Sequence, residues 1–168
     1  MHKITHCISS FNNLNYLKLA VKSVRENSYY KDAPFIIHTE NSVDGTNEWL
    51  KENSEKWNFD YYIEDNDNPI GIGGGMNFCA ERVKTEFINF LHADFYVSKN
   101  WDIELLKMFD KYPDEKLMVF SHRIQPDIFG DENRPGTVFV PLSEFGEFHH
   151  NFDETYFLTW ARDFTSLN

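Results

Sequence analysis

The stretch EFINFLHAD, residues 86–94, decides how this chain folds. Its apolar run, Phe87-Ile88-Asn89-Phe90-Leu91, reads as a buried strand, and it ends on His92-Ala93-Asp94. Side chains alternate along an extended chain, so His92 and Asp94 are expected to point to the same side. A strand that finishes on an imidazole and a carboxylate facing one way is either a site or an accident. The neighbouring segments discriminate between the two.

Working outward, residues 3–9 alternate and stop at SSFNN, a strand followed by a polar turn. Leu14, Leu17, Val21 and Val24 recur at helical spacing, with Asn13 as the expected cap. PFIIHT (34–39) reads as a second strand, ENSVDG (40–45) as a turn, and 46–57 as a second helix. DYYIE (60–64) is a third strand, followed by the loop DNDNPIG (65–71) and a glycine-rich helix start at GGGMNFCAERVK (73–84). EFINFL (86–91) is the fourth strand, 101–111 a helix, and KLMVFS (116–121) a fifth strand. Beyond Ser121 the regularity fades. Residues 122–136 read as an excursion, TVFVP (137–141) as a short strand, and NFDETYFLTWARDF (151–164) as a final aromatic helix or helix–strand piece.

Strands alternating with helices imply a doubly wound α/β fold, a mostly parallel sheet flanked by helices. Ligands bind such sheets at the carboxyl ends of the strands. Ser9-Ser10-Phe11, Thr39-Glu40-Asn41, Asp65-Asn66 and His92-Ala93-Asp94 all fall there. That convergence favours a site over an accident.

Composition narrows the function. The 168 residues suit one domain, and 41% hydrophobic content with sixteen Phe supports a real core. No apolar run reaches the length of a membrane span, and the opening MHKITHCISSFNN lacks a signal peptide's apolar segment. Cys7 and Cys79 read as small core residues of a reduced, cytoplasmic protein. A net charge of −11 without a basic stripe argues against nucleic-acid binding. It leaves room for a phosphorylated ligand, because a divalent cation bridges carboxylates to phosphates.

Two motifs fail on detail. GIGGGM (71–76) has Met76 where a dinucleotide fingerprint needs its third glycine, and it follows the third strand rather than the first. Its small residues instead let backbone approach a ligand at a helix start, or simply form a flexible loop. DNDNPIG lacks the bidentate Glu of a calcium loop. Asp44 and Thr46 are expected to cap the helix they precede, whereas Glu40 sits directly at a strand's end. His149-His150 reads as a surface pair.

Taken in order, these segments resemble the family 2 glycosyltransferases of GT-A fold, over essentially the whole chain. THCISSFNNLNYLKLAVKSVREN looks like the family's opening strand, nucleotide-contacting turn and first helix. FIIHTENSVDGTNEWL looks like its second strand and Ser-x-Asp-Gly-Thr turn, and NPIGIGGGMNFCAERVKTEFINFLHADF is similar to its small-residue helix and the strand carrying Asp-x-Asp. FDETYFLTWARDF is similar to the late segment that holds the acceptor-side carboxylate.

The resemblance implies a single GT-A-like domain over 1–168, with 1–100 as the nucleotide-sugar half and 101–168 as the acceptor side. It implies a metal-dependent, inverting transfer from a nucleotide-diphosphate sugar, a UDP-sugar first among them, to a glycan or other hydroxyl acceptor. Ser9 and Phe11 would lie by the base and ribose, with Glu40 near the base and Asp65 and Asn66 flanking it. The turn from Gly73 through Gly74 to Asn77 would border the sugar, and Asp94, matching the last Asp of Asp-x-Asp, would hold Mn²⁺ or Mg²⁺. His92 stands where the first Asp is usual, as a further ligand or ribose contact. Imidazole suits Mn²⁺ better than Mg²⁺. The family's Glu-Asp pair falls on Ala161-Arg162, one place before Asp163. Asp163 is the expected catalytic base, its pKa raised by the aromatic stretch before it, with Asp153 in reserve. The competing class is a non-catalytic GT-A module that binds a glycan or a partner protein, and a nucleotidyltransferase ranks third.

Overall fold

The computed structural model of the chain describes residues 3–113, 115–126, 136–141 and 143–166. The chain divides into two compact units, Met1–Glu26 with Tyr30–Val97, and Asn27–Tyr29 with Ser98–Asn168.

The first unit runs β1 (Ile4–Ser10), α1 (Leu14–Asn27), β2 (Phe35–Glu40), α2 (Thr46–Trp57), β3 (Asp60–Glu64), α3 (Gly71–Ala80) and β4 (Phe87–His92). All four strands are parallel, in the order β3-β2-β1-β4. The chain steps outward from β1 through β2 to β3, then crosses back over β1 to lay down β4. Right-handed crossovers therefore put α1 and α2 on one face of the sheet and α3 on the other. The reversal between β1 and β4 is the topological switch point where such sheets open a crevice.

The core follows the periodicities. Every residue of β1 and β2 is buried. Leu17, Val21 and Val24 of α1 are no more than 1% exposed. On the α3 face Cys7, Ile36 and Cys79 pack together with Tyr62 and Val83, and both cysteines are free, buried thiols.

The fourth strand departs from expectation. Within the described sheet β4 is an edge strand, so Ile88 and Phe90 are 37% and 47% exposed rather than buried. The chain also turns immediately after His92, where the Phe95 amide donates to the His92 carbonyl at 3.2 Å. Strand alternation thus stops at His92 and does not extend to Asp94.

The second unit contains α4 (Trp101–Lys111), β5 (Arg123–Pro126), β6 (Thr137–Val140) and α5 (Glu154–Ser166). Residues 27–29 are hydrogen-bonded into it. Asn100 N donates to the Asn27 carbonyl at 2.7 Å, Tyr29 N to the Asp102 carboxylate at 2.7 Å, and Trp101 Nε1 to Ser28 Oγ at 3.0 Å. Residues 116–121 are not the fifth strand. Met118 and Phe120 are both 79% exposed, and the strand forms at β5, where β6 offers a parallel partner. The expected excursion thus opens as β5, and its residues 127–135 lie outside the described residues. NFDETYFLTWARDF resolves to a helix, α5, whose Phe157 packs edge-on to Phe145 with ring centroids 5.3 Å apart. Among the described residues no helix is long and apolar enough to cross a membrane.

Candidate functional site

Parallel register levels the carboxyl ends of the strands. Ser9 stands beside His38 on one side and His92 on the other, Ser10 beside Thr39, and Glu40 beside Glu64. Because side chains alternate, Ser9, His38, Glu40, Glu64 and His92 all belong to the face that α3 covers. The four polar clusters expected at one edge do come to one edge.

Glu40 organises the start of α3. It is only 5% exposed, and Oε1 accepts the Asn66 side-chain amide and the Ile70 N–H, each at 3.0 Å. Oε2 accepts the Gly71 N–H, also at 3.0 Å. An anion at the amide end of a helix also meets the positive end of its dipole. Burial works against ionisation, but the bonds from Ile70, Asn66 and Gly71, together with nearby His38, outweigh it and hold the carboxyl below its ordinary range. Gly71 has φ +67°, a left-handed conformation that favours glycine, and this bends the loop into the helix.

The loop after β3 is fastened by a reciprocal pair. Asn41 Nδ2 donates to the Asn66 carbonyl and Asn66 N to Asn41 Oδ1, both at 2.9 Å. Asn66 is therefore engaged with protein, while Asp65 is exposed beside it. The glycine run is no loose turn, because residues 71–80 are helical. A Cβ on Gly73 would meet open space, and one on Gly74 would meet Ile70. Gly75 is the tight position: a Cβ there would collide with Ser9 Oγ and lie 2.6 Å from His38 Nδ1. Close approach is thus real, but at Gly75 and toward protein. Asn77 is exposed one turn into the helix.

Phe11 follows β1 with its ring 60% exposed. The turns after β1 and β2 are laced together, with Asn12 N donating to Ser42 Oγ and Val43 N to Asn12 Oδ1. Asp44 serves two helices. Oδ2 takes the Leu14 N–H at the start of α1 at 2.8 Å, and Oδ1 takes the Thr46 N–H and hydroxyl at the start of α2. The α1 amide expected to be capped by Asn13 is thus taken by Asp44. Burial opposes the Asp44 charge, but these bonds outweigh it and hold its pKa below the ordinary value.

His92 and Asp94 are both exposed at the end of β4, with the His92 ring 5.0 Å from that of Phe95. Among the described residues no hydrogen bond or ion pair engages the Asp94 carboxylate. An accessible carboxylate, unengaged among the described residues and two positions after an exposed imidazole, fits a divalent cation that completes its shell with phosphate oxygens.

In the second unit, Asp153 caps α5 by accepting the Tyr156 N–H at 2.9 Å. Asp163 lies further along that helix beside Trp160 and Phe164, on a shallow surface shared with Tyr156 and Thr159. Its side chain is 62% exposed and paired with Arg162 at 2.9 Å. The expected aromatic enclosure does not form, because the rings lie along one helix face and leave the carboxylate in solvent.

Two residues escaped the sequence reading, His38 and Glu64. His38 Nε2 lies 3.0 Å from Glu64 Oε2. The available signal was the i, i+2 spacing of His38 and Glu40, but the pairing that adds Glu64 is tertiary.

The chain matches the profile of Glycosyl transferase family 2 over residues 5–164. No curated protein matches it. Among solved structures, Staphylococcus aureus TarS 1-349 superposes with TM-score 0.58 at 16% identity over 86% of this chain. TarS 1-349 in complex with UDP-GlcNAc gives 0.56 at 17% over 86%, and another TarS crystal structure gives 0.57 at 18% over 86%. The chain spans only 40%, 38% and 24% of those three structures, respectively. The fold is thus GT-A, and the chain belongs to glycosyl transferase family 2.

Proposed function

We propose that the chain transfers a sugar from a nucleotide-diphosphate sugar to an acceptor hydroxyl, in a metal-dependent reaction with inversion at the anomeric carbon. The observation that carries this is the levelled edge, where Ser9 near the end of β1 and Glu40, Glu64 and His92 at the ends of β2, β3 and β4 line up, and Asp94 follows with a carboxylate unengaged among the described residues. The TarS complex with UDP-GlcNAc, on the same fold, supports a UDP-sugar as donor.

In this proposal the exposed Phe11 ring stacks on the base and Ser9 lies by the ribose. Glu40 acts mainly through α3. Three of roughly four acceptor positions on its carboxylate are filled by protein, so it holds the helix start in place and has one left for the base. Asp65 flanks the base, and the open surface at Gly73, Gly74 and Asn77 borders the sugar. Asp94, with His92, holds Mn²⁺ or Mg²⁺. That ion supplies Lewis-acid neutralisation of the departing diphosphate when bound. Asp163 takes the acceptor hydroxyl's proton. It is favoured over Asp153, whose Oδ1 already serves as a helix cap. The buried thiols of Cys7 and Cys79 suit a cytoplasmic setting.

A donor panel of UDP-, GDP- and other nucleotide sugars, read by thermal shift with and without Mn²⁺, tests the proposal. Stabilisation by one donor that needs Mn²⁺ supports it. No shift with any donor, alongside a shift with a glycan alone, supports the non-catalytic module instead.

A further inference from the structure

Alternation along β2 puts His38 and Glu40 on one face, and the β2–β3 register sets Glu64 beside Glu40. The three side chains converge under the start of α3, and one ligating atom from each lies within 4.8 Å of the other two. His38 is wholly buried and Glu40 nearly so, while the Glu64 side chain is 31% exposed and opens the cluster to solvent.

The imidazole is the telling group. Its Nε2 lies against Glu64, itself part of the cluster, and its Nδ1 has no hydrogen-bond partner although the residue is 0% exposed. Two carboxylates meet here with a single imidazole between them, an arrangement short of positive charge. Glu40 Oε2, with one N–H bound, keeps room for a further partner.

We propose that His38 Nε2, Glu40 Oε2 and Glu64 form a site for a first-row transition-metal dication, best matched by Zn²⁺, separate from the Asp94 site and competing with the base for the last acceptor position of Glu40. One imidazole with two carboxylates is a ligand set that zinc accepts and magnesium does not favour. Bonds of about 2.1 Å to a shared ion imply ligand separations of roughly 3 to 3.5 Å. His38 Nε2 and Glu64 Oε2, 3.0 Å apart, already have that span, and the remaining approach to Glu40 requires small side-chain shifts on binding. With Nε2 on the metal, the imidazole proton sits on Nδ1. Ser9 Oγ, which like Nδ1 flanks Gly75, would then serve as its acceptor. A hydrogen-bonded second nitrogen is the usual support of a metal-bound histidine. The bound ion would tie the ends of β2 and β3 to the start of α3.

The test titrates Zn²⁺ alone, without nucleotide, into the chelator-treated, tag-free chain by calorimetry, and reads Co²⁺ by visible absorption. Wild type and Asp94→Asn are expected to share one tight Zn²⁺ site, any weaker uptake at His92 and Asp94 being lost in Asp94→Asn, and Glu64→Gln and His38→Gln to bind that tight Zn²⁺ about 100-fold more weakly. Should His38→Gln fail to fold, Glu64→Gln decides, because its side chain is partly exposed. No binding by wild type up to about millimolar Zn²⁺ overturns the proposal. So does Glu64→Gln binding as tightly as wild type, or loss of the tight Zn²⁺ in Asp94→Asn.

Discussion

Replacing Glu40 with Gln separates two roles for one carboxylate, base recognition and support of α3. Gln keeps an oxygen at the Oε1 position, where Asn66 and Ile70 donate. It puts an NH₂ opposite the Gly71 N–H, where Oε2 now accepts. Hydrogen bonds to a charged partner contribute about 1.5–3 kcal/mol and neutral ones about 0.5–1.5, so the two retained bonds weaken by about 1 kcal/mol each. The Gly71 bond to the carboxylate is lost, at about 2 kcal/mol. The total, about 4 kcal/mol, corresponds to roughly a 1,000-fold loss of protection against local opening. Hydrogen exchange resolved at the Ile70 and Gly71 amides reads it directly, and the urea midpoint should fall in parallel. Unchanged exchange at both amides with weakened donor binding would remove the support role and return Glu40 to base recognition.

Gly75→Ala should destabilise by about 1–3 kcal/mol through overpacking against Ser9 and His38, whereas Gly73→Ala, facing open space, should be neutral or stabilising by up to about 1 kcal/mol. Urea midpoints of the two variants check this, and equal midpoints would remove the distinction. The folded-state pKa values of Glu40 and Asp44 are both depressed, so their contributions are present above the unfolded values, 4.5 and 3.8, and are lost as pH falls through the folded ones. Exchange protection at Ile70, Gly71, Leu14 and Thr46 should therefore hold from about pH 7 to about pH 5 and fall only in more acidic solution, and a decline already at about pH 6 would point to another group. Asp163→Asn should leave donor affinity intact and cut transfer about 100-fold or more; unchanged transfer, with a collapse in Asp153→Asn, would move the base to Asp153.

The first unit was legible because its elements obey simple periods. Leu17, Val21 and Val24 recur at helical spacing and are buried, and the polar residues after each strand end at one edge because parallel strands must. What the sequence hid depends on partners far along the chain. KLMVFS has a strand's composition, yet β5 forms just beyond it, where Thr137–Val140 supplies a ladder. Gly75 is forced by Ser9 and His38, which only the β1–β2 register brings together. Glu64 looked like the end of an ordinary strand until register placed it beside Glu40. Asp163 follows four aromatic residues within a dozen positions, but helical geometry spreads those rings along a face instead of closing them round the carboxylate.

Donor binding through a cation at Asp94 is read out by one calorimetric comparison. UDP-GlcNAc and the other donors of the panel are titrated into wild type and Asp94→Asn, each with Mn²⁺ and with chelator. One donor is expected to bind wild type only with Mn²⁺ and to bind Asp94→Asn at least about tenfold more weakly. A donor that binds both proteins equally and without metal would contradict it.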